Sequence, residues 1–231
     1  MFATSLWGQE LSEHEVINRA RATIGNDAAL DGLVTMELVG SLEPANTNMP
    51  SATLLIVARK PLSQRLEIKV DDIVETTILD GNRGCIIRSN LNAEASQMRD
   101  LIGPELERVT YSTRQFFNFY RPDFSNGEKV SLVGTETYRD TRCYKLLYEY
   151  PGGPKTVRYF SVAEDTLVST ITENGVESIG VGSQTVGGIK FPKAIEYYES
   201  GRKLHTIFLH EIKVNKPLTV GIFDIPEGDT Q

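Results

Sequence analysis

The chain has 231 residues, of which 40% are hydrophobic and 24% are charged, a balance typical of a folded globular protein. The 31 acidic and 24 basic side chains give a formal charge of −7, and the basic residues form no runs. A negatively charged chain without a basic patch repels a phosphate backbone, so we do not expect nucleic acid as a partner. No stretch reaches the roughly 18 consecutive apolar residues that a membrane-spanning helix needs. We therefore expect one soluble domain over residues 1–231.

The N-terminus and the cysteines carry little information about compartment. Residues 1–9 lack the basic and apolar regions of a secretory signal, so we expect none there. Cys85 and Cys143 lie in separate apolar, strand-like runs and lack the CxxC spacing of zinc or redox sites. Two buried free thiols are the preferred interpretation, with a disulfide between them as the alternative.

The first half of the chain predicts a helix followed by a series of strands. Ser12 and Glu15 form a capping box, and apolar residues then recur at helical spacing until Gly25, which predicts a helix over 12–25. Short runs rich in β-branched residues follow, separated by Pro, Gly, Asn and Asp. The predicted strands are 33–42, 53–60, 64–71, 73–80 and 83–90.

A change of periodicity then marks a helical segment in mid-chain. Apolar residues over 95–121 recur every three or four positions, which predicts a helix broken near Pro104 and ending before Pro122. We expect its apolar stripe to pack against the sheet. The stripe comprises Leu106, Val109, Phe116, Phe117 and Tyr120.

The second half predicts a meander of strands joined by turn pairs such as Asn174-Gly175 and Gly187-Gly188. Connections this short exclude crossover helices, so the sheet should be antiparallel. Eleven or twelve strands must curl, which predicts an α+β fold, mainly β: an unclosed half-barrel with helices on its concave face. The predicted strands are 128–138, 141–150, 155–162, 166–173, 176–186, 189–200 and 202–215.

The sequence lacks the motifs of common enzymes. It contains no phosphate-binding glycine loop before a helix, no GxSxG elbow and no HExxH. His205 and His210 are five residues apart on one predicted strand, so we expect opposite faces and no shared metal. His210 is interpreted as a core histidine. No catalytic residue, metal site or cofactor is predicted.

Side chains alternate between the two faces of each predicted strand, and in two strands one of these faces is apolar. In 143–150, Tyr144, Leu146 and Tyr148 alternate with more polar residues, and Leu66 and Ile68 do the same in an earlier strand. Core packing is the simpler interpretation for each residue, whereas the group as a whole also fits a groove for an acyl chain. The candidate groove residues are Leu66, Ile68, Phe116, Phe117, Tyr120, Tyr144, Leu146, Tyr148 and Phe208.

Several segments together resemble the bacterial outer-membrane lipoprotein carriers and sorting proteins of the LolA/LolB type. They are the glycine-ended helix at 19–25, the strand MELVGSL at 36–42, VGTETYRDTRCYKLLYEY at 133–150, YFSVAEDTLVSTI at 159–171 and the long segment at 187–228. The resemblance implies an unclosed antiparallel barrel that holds lipid acyl chains in the periplasm. The polar latch of the classical carrier and a lipobox cysteine have no matching residues here.

Three functions remain as hypotheses at this point. The first is a periplasmic carrier or binder of lipid or lipoprotein acyl chains, served by a membrane-bound donor or acceptor protein. The second is a non-catalytic sensor or interaction domain of the same fold, whose groove is filled by its own side chains. The third is a hydrolase that uses His210 with an unrecognised nucleophile, which no motif supports.

Overall fold

The structure is a computed structural model that describes residues 11–152 and 154–226. Three parts of the sequence-based expectations lie outside these ranges. They are the absence of a signal in residues 1–9, Gly153 in the turn predicted between strands 141–150 and 155–162, and residues 227–228 at the end of the family-like segment. The helices are α1 (Glu13–Ile24), α2 (Asp27–Asp31) and α3 (Gly103–Asn118), with a short 3₁₀ turn at Phe124–Asn126.

The strands of the first half run from Thr35 to Asp100. They are β1 (Thr35–Pro44), β2 (Ala52–Arg59), β3 (Ser63–Val70), β4 (Ile73–Asp80), β5 (Arg83–Asn90) and β6 (Ala95–Asp100). The strands of the second half are β7 (Lys129–Tyr138), β8 (Thr141–Glu149), β9 (Lys155–Ser161), β10 (Leu167–Thr172), β11 (Val176–Val181), β12 (Gln184–Val186), β13 (Ile189–Phe191), β14 (Ala194–Glu199) and β15 (Arg202–Val214).

Thirteen of these strands form one sheet in the order β6-β5-β4-β3-β2-β1-β15-β14-β11-β10-β9-β8-β7, and β12 and β13 form a separate hairpin. Every strand pairing in the described residues is antiparallel. The last strand, β15, pairs with the first, β1, so the two halves of the chain meet in the middle of the sheet. The mainly β architecture predicted from the sequence is confirmed.

Contacts of α3 show how strongly the sheet curls. Thr113 Oγ1 donates a hydrogen bond to Gln64 Oε1 on β3 (2.9 Å), and two residues along the helix Gln115 Oε1 accepts from Arg158 Nη2 on β9 (2.7 Å). In a flat sheet β3 and β9 would be seven strand spacings, or about 34 Å, apart. One helix reaches both strands because the sheet curls around it. The helix-covered face is therefore the concave face of an unclosed half-barrel.

The capping box at the N-terminus of α1 is confirmed. Glu15 N–H donates to Ser12 Oγ, and Ser12 N–H donates to the Glu15 carboxylate at 2.8 Å. Helix α3 carries Pro104 in its first turn, where a missing N–H costs nothing. It ends at Phe119 and Tyr120, both in the left-handed region with φ of 44° and 71°.

Two parts of the predicted secondary structure are wrong. The predicted helix over 95–121 begins only at Gly103, because 95–100 forms the edge strand β6. That strand is almost wholly exposed, so its spacing of Ala95 and Met98 reflects no buried face. The predicted strands 176–186 and 189–200 are each divided in two, since the chain leaves the sheet at Gly182 and returns at Pro192 to form the β12-β13 hairpin.

The concave face is filled by two clusters of side chains. One lies over β1, β2 and β15, and the other lies under α1 on β8 and β9. Cys85 and Cys143 are fully buried free thiols, as predicted. None of the helices in the described part of the chain has the length and apolar character that crossing a membrane requires.

Candidate functional site

The predicted groove residues on β8 form part of the core under α1. Tyr144, Leu146 and Tyr148 point to the concave face, and Leu146 and Tyr148 are buried against Val16 and Ile17 of the helix. The Tyr148 hydroxyl donates a hydrogen bond to the Tyr120 carbonyl at 2.9 Å, which fixes the end of α3 to this strand. These side chains hold the helices on the sheet.

The aromatic residues of α3 divide between the two clusters. Phe117 is buried in the cluster over β1 and β2, where Phe116 packs at its edge. Tyr120 joins the cluster under α1, with its ring 5.3 Å from that of Phe160 in an edge-on arrangement. The three residues contact the concave face, so the predicted packing of this stripe is confirmed for them.

Leu66 and Ile68 lie on the concave face but outside both clusters. Gln64, which contacts α3, has the same orientation on β3 as Leu66 and Ile68 because side chains alternate along a strand. Both residues are partly buried. Neither residue belongs to the cluster under α1, so the structure does not bring all predicted groove residues together.

Phe208 occupies the opposite, convex face, because β15 contains a bulge. Val39 pairs with Glu211 whereas Gly40 pairs with Leu209, which leaves His210 as an extra residue. Ile207 and Leu209 therefore face the core before the bulge, and Ile212 and Val214 do so after it. The prediction that Phe208 lines the groove is therefore wrong.

The two histidines point to different faces, as predicted. The His205 ring stacks on Tyr197 at 4.6 Å, whereas His210 Nε2 lies 2.9 Å from Ser41 Oγ on the convex face. The His210–Ser41 pair is exposed, and no carboxylate hydrogen bond to His210 occurs in the described residues. Within 11–152 and 154–226, no three potential metal ligands lie together. His210 is not a core residue, which corrects that interpretation.

A cavity of about 330 Å³ opens on the concave side where α1 ends. Its walls come from the end of α1, from Tyr120 beyond the end of α3, and from the start of β10, β11, the β12-β13 hairpin and β14. Ligand pockets in proteins begin at about this size. The lining residues are Thr23, Ile24, Tyr120, Thr166, Leu167, Ser178, Gly180, Gly182, Ser183, Lys190, Phe191, Pro192 and Ile195.

The cavity combines an apolar wall with a polar rim. Ile24, Leu167 and Ile195 supply aliphatic surface, and Lys190 is exposed at the edge. Only Tyr120 among the predicted groove residues lines it. Sequence reasoning missed the remaining residues that line the cavity. Small residues such as Gly180 make space because they lack a side chain, and hydrophobic periodicity does not detect such positions.

A second cleft of about 380 Å³ lies on the convex face, under the C-terminal segment Lys216–Asp224. There the Arg59 guanidinium stacks on Phe223, and Arg65 Nη1 donates to the Ile222 carbonyl at 3.4 Å. These contacts hold the segment against the sheet. The cleft is the gap beside this segment, and the segment itself supplies most of its walls, including Leu218, Ile222 and Phe223.

A buried arginine joins the three helices near the cavity. Arg21 of α1 is 2% exposed, and its Nη1 donates to the carbonyls of Asn118 and Phe119 at 3.1 and 3.3 Å. Its Nη2 donates to Asp27 and Asp31 of α2, both at 2.9 Å. The side chain therefore ties α1 and α2 to the C-terminal end of α3. Sequence reasoning missed this role, because Arg21 belongs to no recognisable motif.

Comparisons with known proteins identify the fold. No family model matches the chain, and no curated protein matches by sequence. Solved structures do match. A LolA superfamily protein from Nitrosomonas europaea aligns with a TM-score of 0.61 at 11% identity, covering 92% of this chain and 97% of that one.

Two further structures share the architecture. A DUF1329 family protein from Desulfovibrio piger has a TM-score of 0.59 at 9% identity, and an outer membrane lipoprotein-sorting protein domain from Vibrio parahaemolyticus has 0.58 at 7% identity. Each alignment covers 90% of this chain and 95% of the other. The chain therefore has the LolA-like fold that its sequence resembles.

Proposed function

We propose that the protein is a non-enzymatic carrier or binder of lipid acyl chains that works in the periplasm. The observation that carries the proposal is the concave cavity of about 330 Å³, with its aliphatic wall and polar rim, in a LolA-like half-barrel. The groove proposed from the sequence is thereby narrowed to the space beside Tyr120. A membrane-bound donor or acceptor protein would supply and receive the chain.

The cavity suits a flexible chain better than a rigid polar ligand. Apolar contact with Ile24, Leu167 and Ile195 is undirected, and each methylene removed from water contributes about 0.8 kcal/mol. Six to eight methylenes would therefore contribute about 5–6 kcal/mol before the costs of ordering the chain. Such a site requires no cofactor.

Non-enzymatic binding is also the simplest account of the polar groups. Ser41 and His210 make the one histidine–hydroxyl pair in the described residues, and it lies on the convex face away from the cavity. The pair lacks a carboxylate that would orient the histidine. We therefore propose no hydrolytic role for His210.

A cavity-filling variant tests the proposal. Ile195→Trp places an indole in the cavity, whereas Val181→Trp puts the same group on an exposed neighbour that does not line it. We expect the wild type and Val181→Trp to bind a fluorescent fatty-acid probe saturably and Ile195→Trp to bind it at least tenfold more weakly. Thermal unfolding checks that all three proteins are folded. Equal binding by the two tryptophan variants would contradict the proposal.

The second candidate function is a sensor or protein-interaction domain whose groove is filled by its own side chains. The observation that favours it is the burial of Leu146, Tyr148 and Phe117, which occupy much of the concave face. If the folded wild type binds no probe, the carrier proposal fails and this candidate takes its place.

A further inference from the structure

The concave face contains a buried positive charge without an ionic partner. Arg158 on β9 is 7% exposed, and its Nη2 donates to Gln115 at 2.7 Å. Its Nε and Nη1 have no hydrogen-bond partner among the described residues, and no carboxylate oxygen lies within 4 Å of it there. Burying an unpaired charge costs several kcal/mol, so such a group usually has a functional reason.

Aromatic rings surround this guanidinium and do not neutralise it. Its central carbon lies 4.3 Å from the ring centroid of Tyr148 and 5.6 Å from that of Tyr120. Burial raises the pKa of Tyr148 to about 12 and raises the pKa of Tyr111 as well, so both phenols are neutral at physiological pH. Cation–π contacts stabilise the charge in part but leave two N–H directions unused.

The buried acid Glu128 is influenced by the charge of Arg158 but forms no ion pair with it in the described residues. Its carboxylate instead accepts a hydrogen bond from Asp123 N–H at 2.8 Å. Burial raises the pKa of Glu128 above its ordinary value. The full positive charge of Arg158 is therefore available to an anion.

Tyr120 connects this charge with the cavity. It lines the cavity, and its ring also lies against the Arg158 guanidinium. Tyr120 follows the last turn of α3 in a left-handed conformation, so it belongs to a chain reversal rather than to a helix interior. Tyr120 is therefore the residue that contacts both the cavity and Arg158, which does not itself line the cavity.

We propose that Arg158 binds the carboxylate of a single-chain fatty acid whose tail occupies the cavity, with Tyr120 turning aside to admit the head group. This inference rests on the proposed function and specifies its ligand class. A carboxylate oxygen accepts a strong, charge-assisted hydrogen bond from a guanidinium N–H, and the unpaired Nε and Nη1 of Arg158 each offer such a donor. An alcohol or ester of the same chain length carries no charge to pair with Arg158.

The test compares oleate, oleyl alcohol and methyl oleate below their aggregation concentrations at pH 8. We expect the wild type to prefer oleate by at least tenfold over both neutral analogues. The preference should vanish in Arg158→Met and persist in Arg142→Met, which removes an exposed arginine from the neighbouring strand. Lys190→Met tests the cavity rim: if it abolishes the preference instead, the head group lies at the rim and the inference is wrong.

The outcomes separate this inference from the proposed function. Equal affinity of the wild type for all three ligands would overturn the role of Arg158 while leaving acyl-chain binding intact. No binding of any of them would overturn the proposed function itself. Nuclear magnetic resonance of the wild type with labelled arginine gives a result that does not depend on the folding of Arg158→Met. The Arg158 Nε–H signal should shift with oleate and stay in place with oleyl alcohol, and an unmoved signal in both cases contradicts the inference.

Discussion

Replacing the buried Arg21 by methionine should weaken the attachment of α1 and α2 to α3 more than replacing the exposed Arg121 does. Met fills a similar volume but removes the donors to the Asn118 and Phe119 carbonyls and to the two aspartates. The aspartates are 73% and 53% exposed, so water replaces their lost bonds at small cost. The Asn118 carbonyl still accepts from the Arg121 backbone N–H at 3.0 Å, so only the Phe119 carbonyl loses its donor, at a cost of about 1–3 kcal/mol.

The net expectation is a loss of about 1–3 kcal/mol of unfolding free energy, set mainly by the Phe119 carbonyl that is left without a donor. Urea denaturation at pH 7 measures it. Arg121→Met is the matched control: Arg121 contacts the same Asp27 and Asp31 but is 45% exposed, so its loss should cost at most about 1 kcal/mol. Equal losses for the two variants would refute the reasoning, as would unchanged hydrogen exchange at the C-terminal end of α3 in Arg21→Met.

Three further predictions follow from the core, a buried acid and the histidines. Leu146→Ala should cost about 2–5 kcal/mol in calorimetric or urea unfolding, because Leu146 is fully buried under α1, and a loss below 1 kcal/mol would contradict its core position. Burial raises the pKa of Glu128 in the folded protein, so the folded protein binds this proton more tightly than the unfolded chain does. Protonated Glu128 therefore favours folding at low pH, and this contribution to stability is lost as pH rises through the raised pKa. Glu128→Gln should therefore increase the unfolding free energy at pH 7 and change it little at pH 4, and the reverse order would refute the sign. Elemental analysis should find no stoichiometric zinc that depends on His205 or His210.

Most of the sheet could be predicted because its local signals agree with one another. Turn pairs such as Asn174-Gly175 end the strands within a few residues of the observed bounds, and short connections dictate antiparallel neighbours. Strand β6 could not be recognised. It lies at the sheet edge with both faces exposed, so no buried face imposes a period of two on its side chains.

The candidate site was harder to predict than the fold. Alternation correctly places Leu66 and Leu146 on the concave face, but the bulge at His210 reverses the orientation of the residues before it and moves Phe208 to the convex face. A bulge of one residue leaves no mark in an apolar pattern that reads as a strand in either register. The cavity itself depends on where glycines such as Gly180 meet residues from distant strands, which only the tertiary structure shows.

The most direct test of acyl-chain binding is a nuclear Overhauser measurement on protein with labelled isoleucine and leucine methyl groups, mixed with an equimolar fatty acid. The cavity predicts contacts from the chain protons to the methyl groups of Ile24, Leu167 and Ile195, and none to Ile78 on the convex side of the sheet. Contacts that appear only on the convex face, or no contacts with a ligand present in saturating amount, would contradict the account.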